Sequence, residues 1–158
     1  MDILFKTPEW VFSYRVAGLA VRDGKVLLQK PDDDDGYAVP GGHVALGETN
    51  KETLRREFME ETGCRIAVGR LLFVGELFFP WGDRTCHQIC LYYEVSSPDF
   101  PEIPEFPGTE CPAGQESSLR FYWVPLSRLA SIPVYPENLP QLMRGIEGGA
   151  QHFVYREE

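Results

Sequence analysis

Residues 14–21 alternate between the two faces of an extended chain and are rich in small and β-branched side chains, which predicts a strand. Arg22-Asp23-Gly24-Lys25 carries the Asp-Gly pair favoured in tight hairpins, so residues 26–29 are the returning strand. Residues 31–36 hold four consecutive aspartates and read as a solvated loop. Residues 37–40 are a short extended piece that runs into Gly41-Gly42. Strands are expected at 65–68 and 71–79, with a turn at Pro80-Trp81-Gly82-Asp83. A further strand is expected at 85–95, with Ile89, Leu91 and Tyr93 on one side. Residues 96–114, with five prolines, read as a long loop. A strand at 119–124, a short helix from Pro125 to Ala130 and a closing helix at 139–145 complete the pattern. Strands interleaved with helices predict an α/β layered fold, and no repeat or second domain is visible, so one domain over 1–158 is expected.

One long helical pattern stands out. Thr49 followed by Glu52 is a capping box, and Gly63 is a left-handed stop, which predicts a helix over 50–62. At about 100° per residue, Glu57, Glu60 and Glu61 fall within an arc of roughly 100° beside the apolar edge formed by Leu54 and Phe58. Thr53 falls inside that arc and is small enough to leave room between the acids, whereas Glu52 points away. Like charges at these spacings repel, and the cost grows where the adjoining edge is packed. A hard divalent cation bound through oxygen would relieve that repulsion. The Gly41-Gly42 turn would let a backbone carbonyl approach such an ion.

Composition narrows the chemistry. Acidic residues outnumber basic ones 24 to 15, a formal net charge of −9, and no basic stripe is visible. A nucleic acid polymer is therefore not the expected partner. No apolar run is long enough for a transmembrane helix and the first residues do not resemble a secretory leader, so no membrane partner and a cytoplasmic location are expected. Cys64, Cys86, Cys90 and Cys111 lack metal-knuckle or redox spacing and read as packed free thiols.

The segment from Gly42 to Cys64 resembles the Nudix box: a glycine, five residues, Glu, seven residues, Arg-Glu, an apolar residue, any residue, Glu-Glu, any residue, Gly and an apolar residue. Gly42, Glu48, Arg56, Glu57, Phe58, Glu60, Glu61, Gly63 and Cys64 fit it. The flanking strands and Trp123-Val124-Pro125 extend the resemblance over nearly the whole chain. It implies an α/β Nudix fold, a mixed β-sheet sandwiched between α-helices. It also implies Mg²⁺- or Mn²⁺-dependent hydrolysis of a nucleoside diphosphate linked to another moiety, such as a nucleoside triphosphate, ADP-ribose, a nucleotide sugar or a dinucleoside polyphosphate.

Carried over by position, Glu57 and Glu61 are metal ligands, with Glu60 third and the Gly41 carbonyl joining them. Arg56 orients the acid beside it, and Glu48 supports the junction of loop and helix. The base that activates water is either Glu57 or an acid of a later loop, for which Glu116 is the first candidate and Glu110 the second. The small-molecule nucleotide has candidate contacts in Tyr37, His43, Phe79, Trp81, His87, Gln88, Arg15 and Arg84. A homodimer is left open. The rival readings are a catalytically silent nucleotide-binding or regulatory module on the same fold and an isomerase on that fold, the second of which departs from the box that this chain keeps.

Overall fold

The computed structural model describes residues 1–31, 33–100 and 119–157. In chain order the strands are β1 (Leu4–Lys6), β2 (Trp10–Leu19), β3 (Val21–Arg22), β4 (Lys25–Pro31), β5 (Tyr37–Ala38) and β6 (Gly41–His43). Helix α1 (Asn50–Thr62) follows, then β7 (Ala67–Trp81), β8 (Arg84–Ser96) and β9 (Leu119–Pro125). A 3-10 turn (Leu126–Ser131), β10 (Val134–Tyr135), α2 (Leu139–Arg144) and β11 (Gln151–Arg156) complete the order.

Two hydrogen-bonded sheets form. The larger has the order β1-β2-β8-β7-β11, with β6 also paired to β2; the smaller has the order β10-β5-β4-β3, with β9 paired to β4. The larger is mixed, since β2/β8 and β7/β11 are parallel while β7/β8 is antiparallel. Alternation along the strands feeds two cores. Ala17, Leu28, Phe73 and Tyr92 pack with Leu129, Leu139 and Leu142 of the 3-10 turn and α2. Their neighbours Val16 and Leu27 face the other way and pack with Leu54 and Phe58 of α1 and with Phe121 and Trp123. The sheets thus lie between α1 on one side and the 3-10 turn and α2 on the other. Each fully buried side chain such as Leu54 or Phe58 contributes about 1.5–3 kcal/mol.

The hairpin joining β3 to β4 turns at Asp23 (φ 53°) and Gly24 (φ 74°), the primed geometry that the Asp-Gly pair favours. Several elements differ from the sequence-based expectation. The strands expected at 65–68 and 71–79 are one strand, β7, whose register shifts against β8 between Val68 and Leu71 and again between Leu71 and Phe73. A bulge there absorbs the irregular pattern without ending the pairing. The strands of this hairpin extend to Trp81 and Arg84, which leaves Gly82 (φ 61°) and Asp83 as the turn. On β8 the fully buried side is Cys86, Gln88, Cys90 and Tyr92; Leu91 and Tyr93 are partly buried beneath α1. Strands β1, β10 and β11 are additions; β1 and β11 pair with the longer β2 and β7, and β10 pairs with the equally short β5. Cys64, Cys86 and Cys90 are free and buried, and Cys111 lies outside the described residues. No helix among the described residues is long and apolar enough to cross a membrane.

Candidate active site

The helix start is built by the predicted capping box. Thr49 Oγ1 accepts from the Glu52 N–H at 3.2 Å, and Glu52 Oε2 accepts from the Thr49 N–H at 2.8 Å. The helix stops at Gly63, with φ 72° and its N–H donating to the Met59 carbonyl at 3.0 Å. Strand β6 lays Gly41 against Ala17 and Gly42 against Val16. A Cβ on Gly41 would lie 2.0 Å from the Val16 carbonyl oxygen, and one on Gly42 would lie 2.3 Å from the Glu57 carboxyl carbon. Neither glycine has a positive φ, so both are required for close approach. Gly42 leaves the space that the Glu57 carboxylate occupies.

Arg56 sits among three carboxylates. Its Nε donates to Glu48 Oε1 and Oε2 at 3.1 and 3.0 Å, and its Nη2 donates to Glu48 Oε1 at 2.9 Å. Its Nη1 donates to Glu57 Oε1 at 3.0 Å and reaches Glu60 Oε2 at 3.4 Å. The acids of the helix face are thus not a bare repelling row. Arg56 offsets the charge of Glu48, Glu57 and Glu60 together, and its own pKa rises, chiefly through the hydrogen bonds to Glu48. Thr53, fully buried, donates from its hydroxyl to Glu48 Oε1 at 3.2 Å. Thr53 thus ties the helix to the loop at Glu48.

The carboxylates differ in environment. Glu48 is held below the ordinary carboxylate range, first by its hydrogen bonds to Arg56. Glu57 is pushed up by burial, against the opposing pull of Arg56, with Glu60 and Asp2 adding to the rise. Glu60 is 58% exposed, against 17% for Glu57. Glu61 is half-buried. Among the described residues, no three His, Cys, Asp or Glu side chains gather closely enough to form a metal cage. Glu110 and Glu116 lie outside the described residues.

The N-terminal residues pack along the box loop, which the sequence did not signal. Ile3 N–H donates to the Val44 carbonyl, Leu46 N–H donates to the Met1 carbonyl, both at 2.8 Å, and Asp2 bridges to Ala45. The Asp2 carboxylate lies 4.0 Å from His43 Nδ1. The His43 ring lies 6.5 Å from that of Trp81, and its Nε2 is buried with no hydrogen-bond partner. Burial, helped by Arg15, holds the His43 pKa down, while Asp2 opposes the shift.

A cleft of about 400 Å³ adjoins the loop that leads into the box. Arg15, Gln88, Tyr92 and Phe79 line it on the larger sheet, with Ala38 and Tyr135 from the smaller one. Arg15 donates to the Val39 carbonyl at 3.1 Å. Of the other candidates, Tyr37 packs edge-on against Tyr122, His87 lies between Phe12 and Phe78, and Arg84 Nε is buried with no partner. Asp34, from the aspartate run, and Tyr155 and Glu157 also line the cleft. Their positions come from loop packing and the β7/β11 pairing, which no local pattern announces.

A sheet pair flanked by α1 and α2, with a glycine-lined loop feeding an acid-bearing helix, defines a class. The chain belongs to the NUDIX domain family, whose model matches residues 13–144. A MutT-like protein of Streptomyces ambofaciens is 42% identical over 60 residues, 37% of this chain and 39% of that protein. An ADP-ribose pyrophosphatase of Methanocaldococcus jannaschii is 42% identical over 62 residues, 37% of each. The alignments thus span about two-fifths of these relatives. A crystal structure of a mutator MutT protein from Bacillus halodurans superposes with a TM-score of 0.60 at 16% identity, over 91% of this chain and 89% of that one, and shows the shared fold.

Proposed function

We propose that this chain is a divalent-metal-dependent hydrolase of the phosphoanhydride bond in a nucleoside diphosphate linked to another moiety. The observation that carries the reading is Glu57, a half-buried carboxylate seated against Gly42 and held by Arg56 within a complete box. The names of the relatives, a MutT-like protein and an ADP-ribose pyrophosphatase, support the same class.

The donor chemistry suits a hard cation, although the acids do not converge in this structure, where Glu57 and Glu60 are turned onto Arg56: Glu57, Glu61 and Glu60 offer carboxylate oxygens and Gly41 a carbonyl. These four would hold Mg²⁺ or Mn²⁺. Such an ion supplies neutralisation of phosphoryl oxygens and acidification of water. The chain supplies the rest. Arg56 orients Glu57, and Glu48 with Thr53 anchors Arg56. Glu57, held by Arg56 beside the loop, is the candidate to accept a proton from the attacking water, and Glu116 is the alternative base. Arg15 and the cleft take the remainder of the substrate.

The test is hydrolysis of a nucleotide panel with Mg²⁺ or Mn²⁺, scored by released phosphate and pyrophosphate. Glu57→Gln and Glu61→Gln should each lower turnover by about 100-fold with the fold retained. Wild-type rates in both variants would remove those roles. Nucleotide binding without turnover by the native chain would favour a silent binding module.

A further inference from the structure

On the α1 side of the larger sheet, one row of side chains crosses all five strands. Phe5 of β1, Phe12 of β2, His87 of β8, Phe78 of β7 and Arg156 of β11 are each the direct cross-strand partner of the next. Phe5 stacks on Phe12 with ring centroids 6.4 Å apart, and Phe12 meets His87 edge-on at 6.2 Å. His87 lies 4.3 Å from Phe78, and the Arg156 guanidinium sits 4.1 Å over Phe78. By alternation Trp10 stands in the row on one side, and Ile89 and Val154 stand in the row on the other. His87 therefore points away from the cleft, which its neighbour Gln88 lines. Helix α1 stops short of these rows. Its first residue, Asn50, accepts from the Tyr14 hydroxyl at 2.7 Å, and Leu91 and Tyr93 lie beneath the helix. Beyond Tyr14 the side chains are open: Phe5 is 54% exposed, Trp10 47% and Val154 55%, while Phe12, Phe78, His87 and Ile89 are half-buried. Single exposed apolar residues are ordinary, but a contiguous aromatic face marks an interaction surface.

Charge and area point to the occupant. The chain carries a net charge of −9, so two copies repel over most of their surface. This face is different: Arg156, His87 and His152 stand against one acid, Glu76, which lies 2.7 Å from His152 Nε2. Two copies can meet here without an excess of like charge. Five strands about 4.8 Å apart and three rows about 7 Å apart span, with the width of the side chains, about 500 Å². Two such faces bury about 1,000 Å², the lower limit of a specific interface and enough for a weak, reversible dimer. The row also suits a two-fold axis, because β8 is the middle strand of the five. An axis along β8 lays Phe12 of one copy over Phe78 of the other. It also lays the open Phe5 ring over Arg156, so the aromatic end of one row meets the cationic end of the other. The two sheets then stack face to face in the aligned manner of a β-sandwich.

We infer that this face docks a second copy of the chain, with the β1 edge of one copy over the β11 edge of the other. The inference goes beyond the hydrolase reading and stands without it.

The experiment is sedimentation velocity of the native chain from about 1 µM to about 500 µM, a range that brackets the affinity of a small interface. The native chain should pass from monomer to dimer across it. Phe5→Lys, at an exposed position, sets a like charge against Arg156 of the second copy and should weaken dimerisation by about 30-fold or more. Adding Arg156→Glu to Phe5→Lys gives the new lysine an acid across the interface and should recover about three-fold or more. Val21→Lys, at a position 46% exposed on the smaller sheet, is the control and should leave dimerisation unchanged. Melting curves confirm that each variant folds. A native chain that is monomeric at about 500 µM overturns the assignment. It does so whether or not the chain floats with neutral lipid vesicles, the result that would give the face to a membrane. Dimerisation that Phe5→Lys leaves intact, or that Val21→Lys weakens equally, also overturns it. Failure of Arg156→Glu to recover any affinity overturns the two-fold register.

Discussion

Single residues carry the electrostatics of the site, and Arg56 is the one on which they turn. From the sequence, the helix acids are a repelling set that calls for a metal. The structure places a guanidinium among Glu48, Glu57 and Glu60, so part of that repulsion is relieved by the chain itself. The two better-buried acids then separate in character, Glu48 lowered by Arg56 and Glu57 raised by burial. This gives a prediction with a sign. A carboxylate whose folded pKa is depressed stabilises the fold above its unfolded pKa, and that contribution is lost as pH falls through the folded value. Glu48→Gln should therefore lower the melting temperature by a constant amount from neutral pH down to the ordinary value of 4.5, and the gap should close below it. A gap that stays constant into more acid solution would show that Glu48 acts through packing rather than through its charge on Arg56.

Elements explain why the helix is placed as it is. Both halves of the capping box form at Thr49 and Glu52, and Gly63 closes the other end. Leu54 and Phe58 then seat α1 on the sheet, and the acids follow by helical periodicity. Thr49→Ala removes one cap acceptor and the reciprocal geometry of Glu52, and should cost about 1 kcal/mol in chemical denaturation. Loss of less than about 0.3 kcal/mol would mean that the packed face alone holds the helix end. The helix limits and the Asp-Gly hairpin were legible because each has a local signature of cap or turn, and the long strands were legible as strands but not in their bounds, since β2 starts at Trp10 and β7 runs unbroken from Ala67 to Trp81. Strands β1, β10 and β11 have none. They are short, and they are extended because a partner offers an edge: the long β2 and β7 for β1 and β11, and the equally short β5 for β10, whose Val134 joins the core.

At the scale of the whole molecule, folding assembles the proposed metal ligands, so the ion and the fold are thermodynamically linked. Mg²⁺ at 100 times its dissociation constant should stabilise the native state by about 2.7 kcal/mol, seen as a rise in melting temperature over the protein in chelator. Glu60 is exposed and only marginally within reach of Arg56. Glu60→Gln should therefore change the melting temperature in chelator little, in keeping with the small worth of exposed pairs, and should shrink the Mg²⁺-induced rise. An equal rise in the variant and the native chain would take Glu60 out of the ligand set.

What the sequence determined by itself was the box: its helix, its caps, its glycines and the face on which its acids lie. These depend on interactions within a few residues, and the spacing of side chains along a helix suffices to place them. The use of those residues was a matter of tertiary structure. Gly42 is small because Glu57 comes from elsewhere to lie against it, and the Thr53 hydroxyl is used to bond Glu48 across the loop. Asp2 reaches the box loop through the Asp2–Ala45 bridge, and Asp34 shares a cleft with Tyr135, Tyr155 and Glu157 although it lies far from all three along the chain. No local period encodes such meetings, because which distant strands pair is decided by the burial of both cores at once.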